Sequence, residues 1–170
     1  MSLSMSMSAM TLDTMIPMLK NLGLMLSKTA THVETKKIEA GVLENARLAP
    51  DMFALKRQVQ LSCDFAKNSI ARLAGLEAPK FDDTEETLAE LQARVKRTVD
   101  YLQSVNPMSL EGSETRHLVV PLRTRTLELD GLPFLQKWVL PNFYFHVTTA
   151  YAILRHNGIE LGKPDFLGAV

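Results

Sequence analysis

Asp130–Gly158 reads DGLPFLQKWVLPNFYFHVTTAYAILRHNG, and its pattern predicts one long final helix. Asp130 is placed to cap the free N–H groups, Pro133 suits a first turn, and Gly158 after Asn157 suits the left-handed residue that closes a helix. Arg155 and His156 fall in the last turn, where the free carbonyl groups favour positive charge. Leu135, Trp138, Asn142, His146, Thr149 and Ile153 recur at helical spacing, so one stripe carries apolar bulk together with two polar side chains, Asn142 and His146. Pro141 removes a backbone hydrogen bond and crowds the preceding turn, at a cost of roughly 3 kcal/mol if the helix stayed straight. A kink or a fresh helical start near Leu140 is therefore expected. From Phe143 to Leu154 apolar residues occur all round: Phe145, Val147 and Ile153 lie off the face of Tyr144, Tyr151 and Leu154. Such a helix needs cover on more than one side, at the centre of a bundle or against a second copy.

Upstream, Met15, Met18, Leu19, Leu22, Met25, Leu26 and Ala30 trace a first amphipathic helix from Thr11, with Pro17 near its beginning. Residues 1–10, with the low-complexity run MSLSMSMSA, are expected to be a disordered start or a cloning remnant ahead of a single domain, 11–170. Glu34–Leu48 reads as a charged connector. Pro50 and Asp51 open a second helix whose buried face is Met52, Leu55, Val59, Cys63, Ala66, Ile70 and Leu73, and Gly75 ends it. Gln60 and Asp64 are four apart on its flank; the ordinary reading pairs Asp64 with Lys67 in solvent. Arg47 and Asp51 are expected to pair across the turn. After the turn-rich EAPKFDD, Thr84, Glu86 and Thr87 open a third helix with Leu88, Leu91, Val95, Val99 and Leu102 inward and a charged outer face. Leu118–Val120 and Thr126–Leu129 predict a small hairpin about Pro121–Thr124. The tail carries Leu161 and Phe166, which dock back on the bundle or reach a second subunit.

A length of 170 residues with 46% apolar content suffices for one domain with a sizeable core. Nineteen Lys and Arg balance nineteen Asp and Glu, which leaves no field to attract nucleic acid. The single Cys63 excludes an internal disulfide and fits a reducing cytoplasm. Gln136, Lys137, Pro141, Asn142 and His146 argue against a membrane span in the last helix.

Two blocks, NARLAPDMFALKRQVQLSCDFAK at Asn45–Lys67 and LPNFYFHVTTAYAILRHNGIELGKPDFLG at Leu140–Gly168, closely resemble a bacterial family known only as domain of unknown function nineteen-ninety-three. That family is similar to the DinB/YfiT-like bundles. The resemblance implies an all-α, up-down-down-up four-helix bundle, with the short hairpin between helices three and four, and commonly a homodimer. Many of these relatives bind a divalent metal such as zinc or nickel, and some act as thiol-dependent transferases. Their three histidines lie one on the second helix and two, four apart, on the fourth. This chain keeps His146 but has Ala150 four residues later, and its second helix offers Gln60 or Asp64 in place of a histidine. The metal ligands the resemblance leaves are Asp64 and His146, short of the three a zinc site uses. His156, ten residues beyond His146, projects from another side of the helix.

Three readings stand for His146: a core histidine hydrogen-bonded by Asp64, Gln60 or a backbone carbonyl, a pocket residue beside Asn142 and Tyr144, or a metal ligand. The candidate ligand-binding set is Gln60, Asp64, Asn142, Tyr144 and His146, in a cleft between helices two and four. The function expected is small-molecule binding there. The alternatives are a metal-dependent thiol transferase and a non-catalytic dimeric interaction protein. Cys63 reads as packing, and His32 and His117 as surface residues without partners.

Overall fold

The computed structural model describes residues 6–169. Its long elements are α1 (Met7–Lys36), α2 (Leu55–Ala74), α3 (Leu88–Ser104) and a final helical run. That run joins α4 (Gly131–Phe134), a π-helical turn (Leu135–Val139) and α5 (Leu140–His156). Two 3-10 turns, Pro107–Leu110 and Ser113–Thr115, lead into an antiparallel hairpin of β1 (His117–Pro121) and β2 (Thr126–Asp130), and a short α6 (Lys163–Leu167) follows the last helix.

The first helix starts earlier than its main stripe suggests. Ser6 caps it by accepting from the Ala9 N–H, and Met7, 2% exposed, carries the buried stripe one turn further back. Residues 6–10, expected to be part of a disordered start, thus belong to the bundle. Residues 1–5 of that stretch lie outside the described residues. Pro17 is inside this longer helix but on its exposed face. The helix also passes His32, half-buried, and stops only at Lys37, which takes φ 54°. The second helix begins at Leu55 and not at Asp51: Pro50–Met52 forms a turn closed by Arg47, whose Nη1 donates to the Met52 carbonyl at 2.8 Å in place of a pairing with Asp51. The third helix is fixed by a capping box between Thr87 and Glu90.

The expected break at Pro141 is a π-turn. The Leu140 N–H bonds to the Leu135 carbonyl five residues back, which widens the helix just ahead of the proline and places Pro141 in the first turn of α5. Asp130 stands at the start of the run without a side-chain capping bond. Gly158, at φ 87°, closes its far end, with the Ile159 N–H returning to the Leu154 carbonyl.

Helix directions follow from cross-contacts. Gln92 of α3 donates to Ser27 of α1, while Val95 lies against Gly23, so α1 and α3 run antiparallel. Gln58 of α2 meets His146 and Phe65 meets Trp138, so α2 and the last helix are antiparallel too. The buried Glu44 ties two helix starts together: its carbonyl accepts from Lys56 N–H and its carboxylate from Leu88 N–H. Hence α2 and α3 begin at the same end and run parallel, the up-down-down-up arrangement. The core between them is continuous, with Leu19, Leu22, Met25, Val59, Ile70, Leu91, Phe143 and Leu154 fully buried, each apolar side chain contributing about 1.5–3 kcal/mol. The tail docks back on α1: Asn21 donates to the Phe166 carbonyl, Lys28 pairs with Asp165 at 2.6 Å, and Phe166 meets Tyr151 edge-on.

Candidate functional site

On α2, residues at 58, 62 and 65 share one face and residues at 60, 64 and 67 another. At ~100° per residue, Gln60 stands ~200° and Asp64 ~240° around the axis from Gln58. Only the first face meets the last helix. The His146 imidazole, 7% exposed, is therefore met by Gln58, at 2.8 Å from Nδ1 to Oε1, and by neither Gln60 nor Asp64. Gln58 Nε2 donates to the Phe53 carbonyl at 3.1 Å, which leaves Oε1 facing the ring. Oε1 can only accept, so His146 carries its proton on Nδ1 and its lone pair on Nε2. Phe65 stacks on the imidazole at 5.5 Å and Phe145 approaches edge-on at 5.3 Å. Burial, helped by the nearby Arg57 charge, pushes its pKa down to about 4. The core reading of His146 thus describes its geometry, with a partner the sequence did not single out.

Gln60 and Asp64 instead join a polar cluster centred on Arg94 of α3, which is fully buried. Arg94 Nη2 donates to Asp64 Oδ1 at 2.9 Å and lies 2.9 Å from Asp83; Nη1 donates to both Glu85 oxygens at 3.0 and 3.1 Å and to the Asp82 carbonyl at 3.0 Å. Gln60 Nε2 adds a bond to Glu85 at 3.0 Å. The expected solvent pairing of Asp64 with Lys67 is loose, at 3.8 Å, and Lys67 is itself buried, donating to the Pro79 carbonyl and Asn68. Burial raises the Asp64 pKa, against the opposing pull of Arg94 and then Lys67. The third helix's polar residues are thus not all solvated: Arg94 lies three residues after Leu91 and four before Thr98, both buried, a spacing that marks it as inward.

The remaining candidates sit apart. Asn142 Nδ2 donates to the Trp138 carbonyl of its own helix at 2.7 Å. Tyr144 is half-buried, edge-on to Phe143, and lines a hollow with Leu48, Phe145 and Thr148. The five side chains therefore do not converge on one cleft. Cys63 is fully buried and burial pushes its thiol up to about 12, so it packs and does not attack. His117 is exposed, with Asp130 at 3.4 Å across the hairpin.

Metal fit follows from these donors. Asp64 is committed to Arg94, His146 Nδ1 to Gln58, and Ala150 offers nothing; among the described residues no three His, Cys, Asp or Glu side chains are placed to hold an ion. The set does not fit a zinc or nickel centre. No helix among the described residues is long and apolar enough to cross a membrane.

A different concavity does lie between α2 and the last helix. Asp64, Phe65, Asn68 and Arg72 of α2, Trp138 and Phe134 of the final run, and Val120–Leu122 of the hairpin enclose about 270 Å³. A larger, shallow groove of about 680 Å³ between α1 and α3 is bordered by solvated Lys20, Lys96 and Gln103 and gathers no convergent polar set.

The sequence matches the family described as Domain of unknown function (DUF1993) over residues 7–167. The chain belongs to this family. The crystal structure of a DinB family member protein from Shewanella denitrificans is similar to it, with 44% identity, a TM-score of 0.88, and coverage of 95% of this chain and 92% of that one. No curated protein matches. This DUF1993 chain therefore has a DinB-like helical bundle with a small two-stranded sheet, as the resemblance implied.

Proposed function

We propose that this DUF1993 protein binds a small molecule, and that its site is the trough between α2, the hairpin and the final helix. One observation carries the reading: three elements that pack for stability leave about 270 Å³ open between them, with an aromatic wall and a polar edge. Ligand sites combine an apolar lining with a few placed polar groups, and this volume is near the lower end of the ~300–1,000 Å³ they span. Asp64 is the member of the expected ligand set that lines it; Gln60 supports Asp64's neighbour Glu85 from behind. Gln58 and His146 act as a polar tie between α2 and α5, which holds one wall. The thiol-transferase reading lacks a donor set for its metal among the described residues.

Trp138 is the single tryptophan and lines the trough, so its emission reports occupancy. Titration with N-phenyl-1-naphthylamine, a neutral two-ring molecule, should change Trp138 emission saturably, and Leu122→Glu in the hairpin wall should weaken binding. Emission that never saturates, with no shift in melting temperature, would rule the trough out.

A further inference from the structure

We infer that the trough selects molecules joining an apolar body to one anionic group, and that Arg72 with Asn68 receives the anion. This rests on the trough being the ligand site. Its polar edge is a single strip of α2: Asp64, Asn68 and Arg72 follow at intervals of four, so the strip spans ~12 Å along the axis. Its two ends differ in charge. Asp64 is met from behind by Arg94 at 2.9 Å, which neutralises that end. Arg72 is exposed and makes no ion pair among the described residues, so its guanidinium is free at the other end.

Asn68 reinforces the asymmetry. Lys67 Nζ donates to Asn68 Oδ1 at 2.8 Å, so the oxygen is occupied and the amide N–H groups are left to donate. An incoming group beside Arg72 and Asn68 therefore finds donors and a positive charge, the pairing that suits a carboxylate, sulfonate or phosphate. Phe65 beside the strip, with Trp138 and Leu122 from the other two elements, offers flat and aliphatic surface for the rest of the molecule. A purely cationic ligand would meet only a carboxylate already paired. A purely apolar one would leave both donors without new partners.

Two dyes with the same ring body separate the outcomes: 1-anilinonaphthalene-8-sulfonate carries an anion, and N-phenyl-1-naphthylamine does not. Trp138 emission should give tighter binding of the sulfonate by about fivefold, the scale of a partly exposed charge pair. Raising ionic strength from about 0.01 M to about 0.15 M, which shortens the screening length from ~30 to ~8 Å, should shrink the preference. Arg72→Gln should abolish it, bringing the sulfonate's affinity down to that of the neutral dye in the same variant, and Lys96→Gln on the far groove should leave the preference intact. Because Arg72 is exposed, melting temperature should show the variant folded. Equal affinities for the two dyes, or a preference that survives Arg72→Gln, would overturn the anion assignment and leave the ligand site standing. Failure of both dyes to perturb Trp138 would remove the site and the assignment together.

Discussion

Replacing Arg94 by methionine should cost this bundle about 3–5 kcal/mol, the range for removing one partner from a buried charge cluster. The magnitude comes from what is left behind. Glu85 is 6% exposed and would keep its carboxylate in the interior with Gln60 and the more distant Arg97 as remaining partners, while Asp64 would lose its 2.9 Å contact. The Asp82 carbonyl would lose its donor as well. Methionine fills most of the space, so the cost is electrostatic and not a cavity. Against a total stability of ~5–15 kcal/mol for a domain, and ~2–4 °C of melting temperature per kcal/mol at this size, a drop of about 6–20 °C is expected. Urea unfolding at neutral pH measures it. The companion variant Arg94→Met with Glu85→Gln should recover part of the loss, because the stranded charge is gone. A single variant within 1 kcal/mol of the parent, or a double variant with fully additive losses, would refute the reasoning.

Three further outcomes follow from geometry. His146 is neutral in the fold with its pKa near 4 and near 6.5 once unfolded, so the unfolded chain binds the extra proton in that window. Its contribution is therefore fully present above pH 6.5 and falls away toward pH 4, by about 1–2 kcal/mol after allowance for the ring's partial contact with water; His146→Phe should flatten that part of the urea-stability profile. Gly131→Ala would set a Cβ 1.8 Å from the Ser113 carbonyl oxygen, a backbone clash that should lower the melting temperature by at least 5 °C, roughly 2 kcal/mol or more at this size. The Cys63 thiol should react with 5,5′-dithiobis(2-nitrobenzoic acid) only at the rate of global unfolding; prompt labelling of native protein would show it exposed.

The helical periods, the hairpin and the break at Pro141 were all legible in the sequence, because each is set by local chemistry: apolar spacing, β-branched runs, a missing N–H. The proline's accommodation as a π-turn was legible only as an interruption, since the choice between a kink and a wider turn depends on packing around Leu135–Val139. The pairing of His146 was not legible. Choosing its partner required the rotation of α2: Gln60 and Asp64 are four apart on one flank, while Gln58, two residues before Gln60, lies on the opposite face. Arg94 was hidden for a related reason: arginine on a charged helix reads as solvated unless its place on the Leu91–Thr98 stripe is weighed above its charge. The start of α1 was missed because serines between methionines obscure a stripe that Met7 continues.

The two polar groupings on α2 answer different demands, and their separation explains why the trough lies where it does. A parallel step from α2 to α3 forces the chain to travel back the length of the bundle, and Gly75–Thr87 is that return. It is pinned by Arg94, Lys67 and Gln60, with Phe81 between the Lys67 and Arg97 cations at 5.0 and 4.4 Å. That work consumes the α2 face at 60, 64 and 67. The face at 58 and 65 is consumed by the last helix through His146. The strip left to the C-terminal half of α2, at 68 and 72, has neither task, and the hairpin arches beside it without closing over it. Residues on that strip can change with little effect on folding. Substitutions there are accordingly the ones that can alter binding while leaving stability intact, whereas changes at 58, 64 or 94 confound the two.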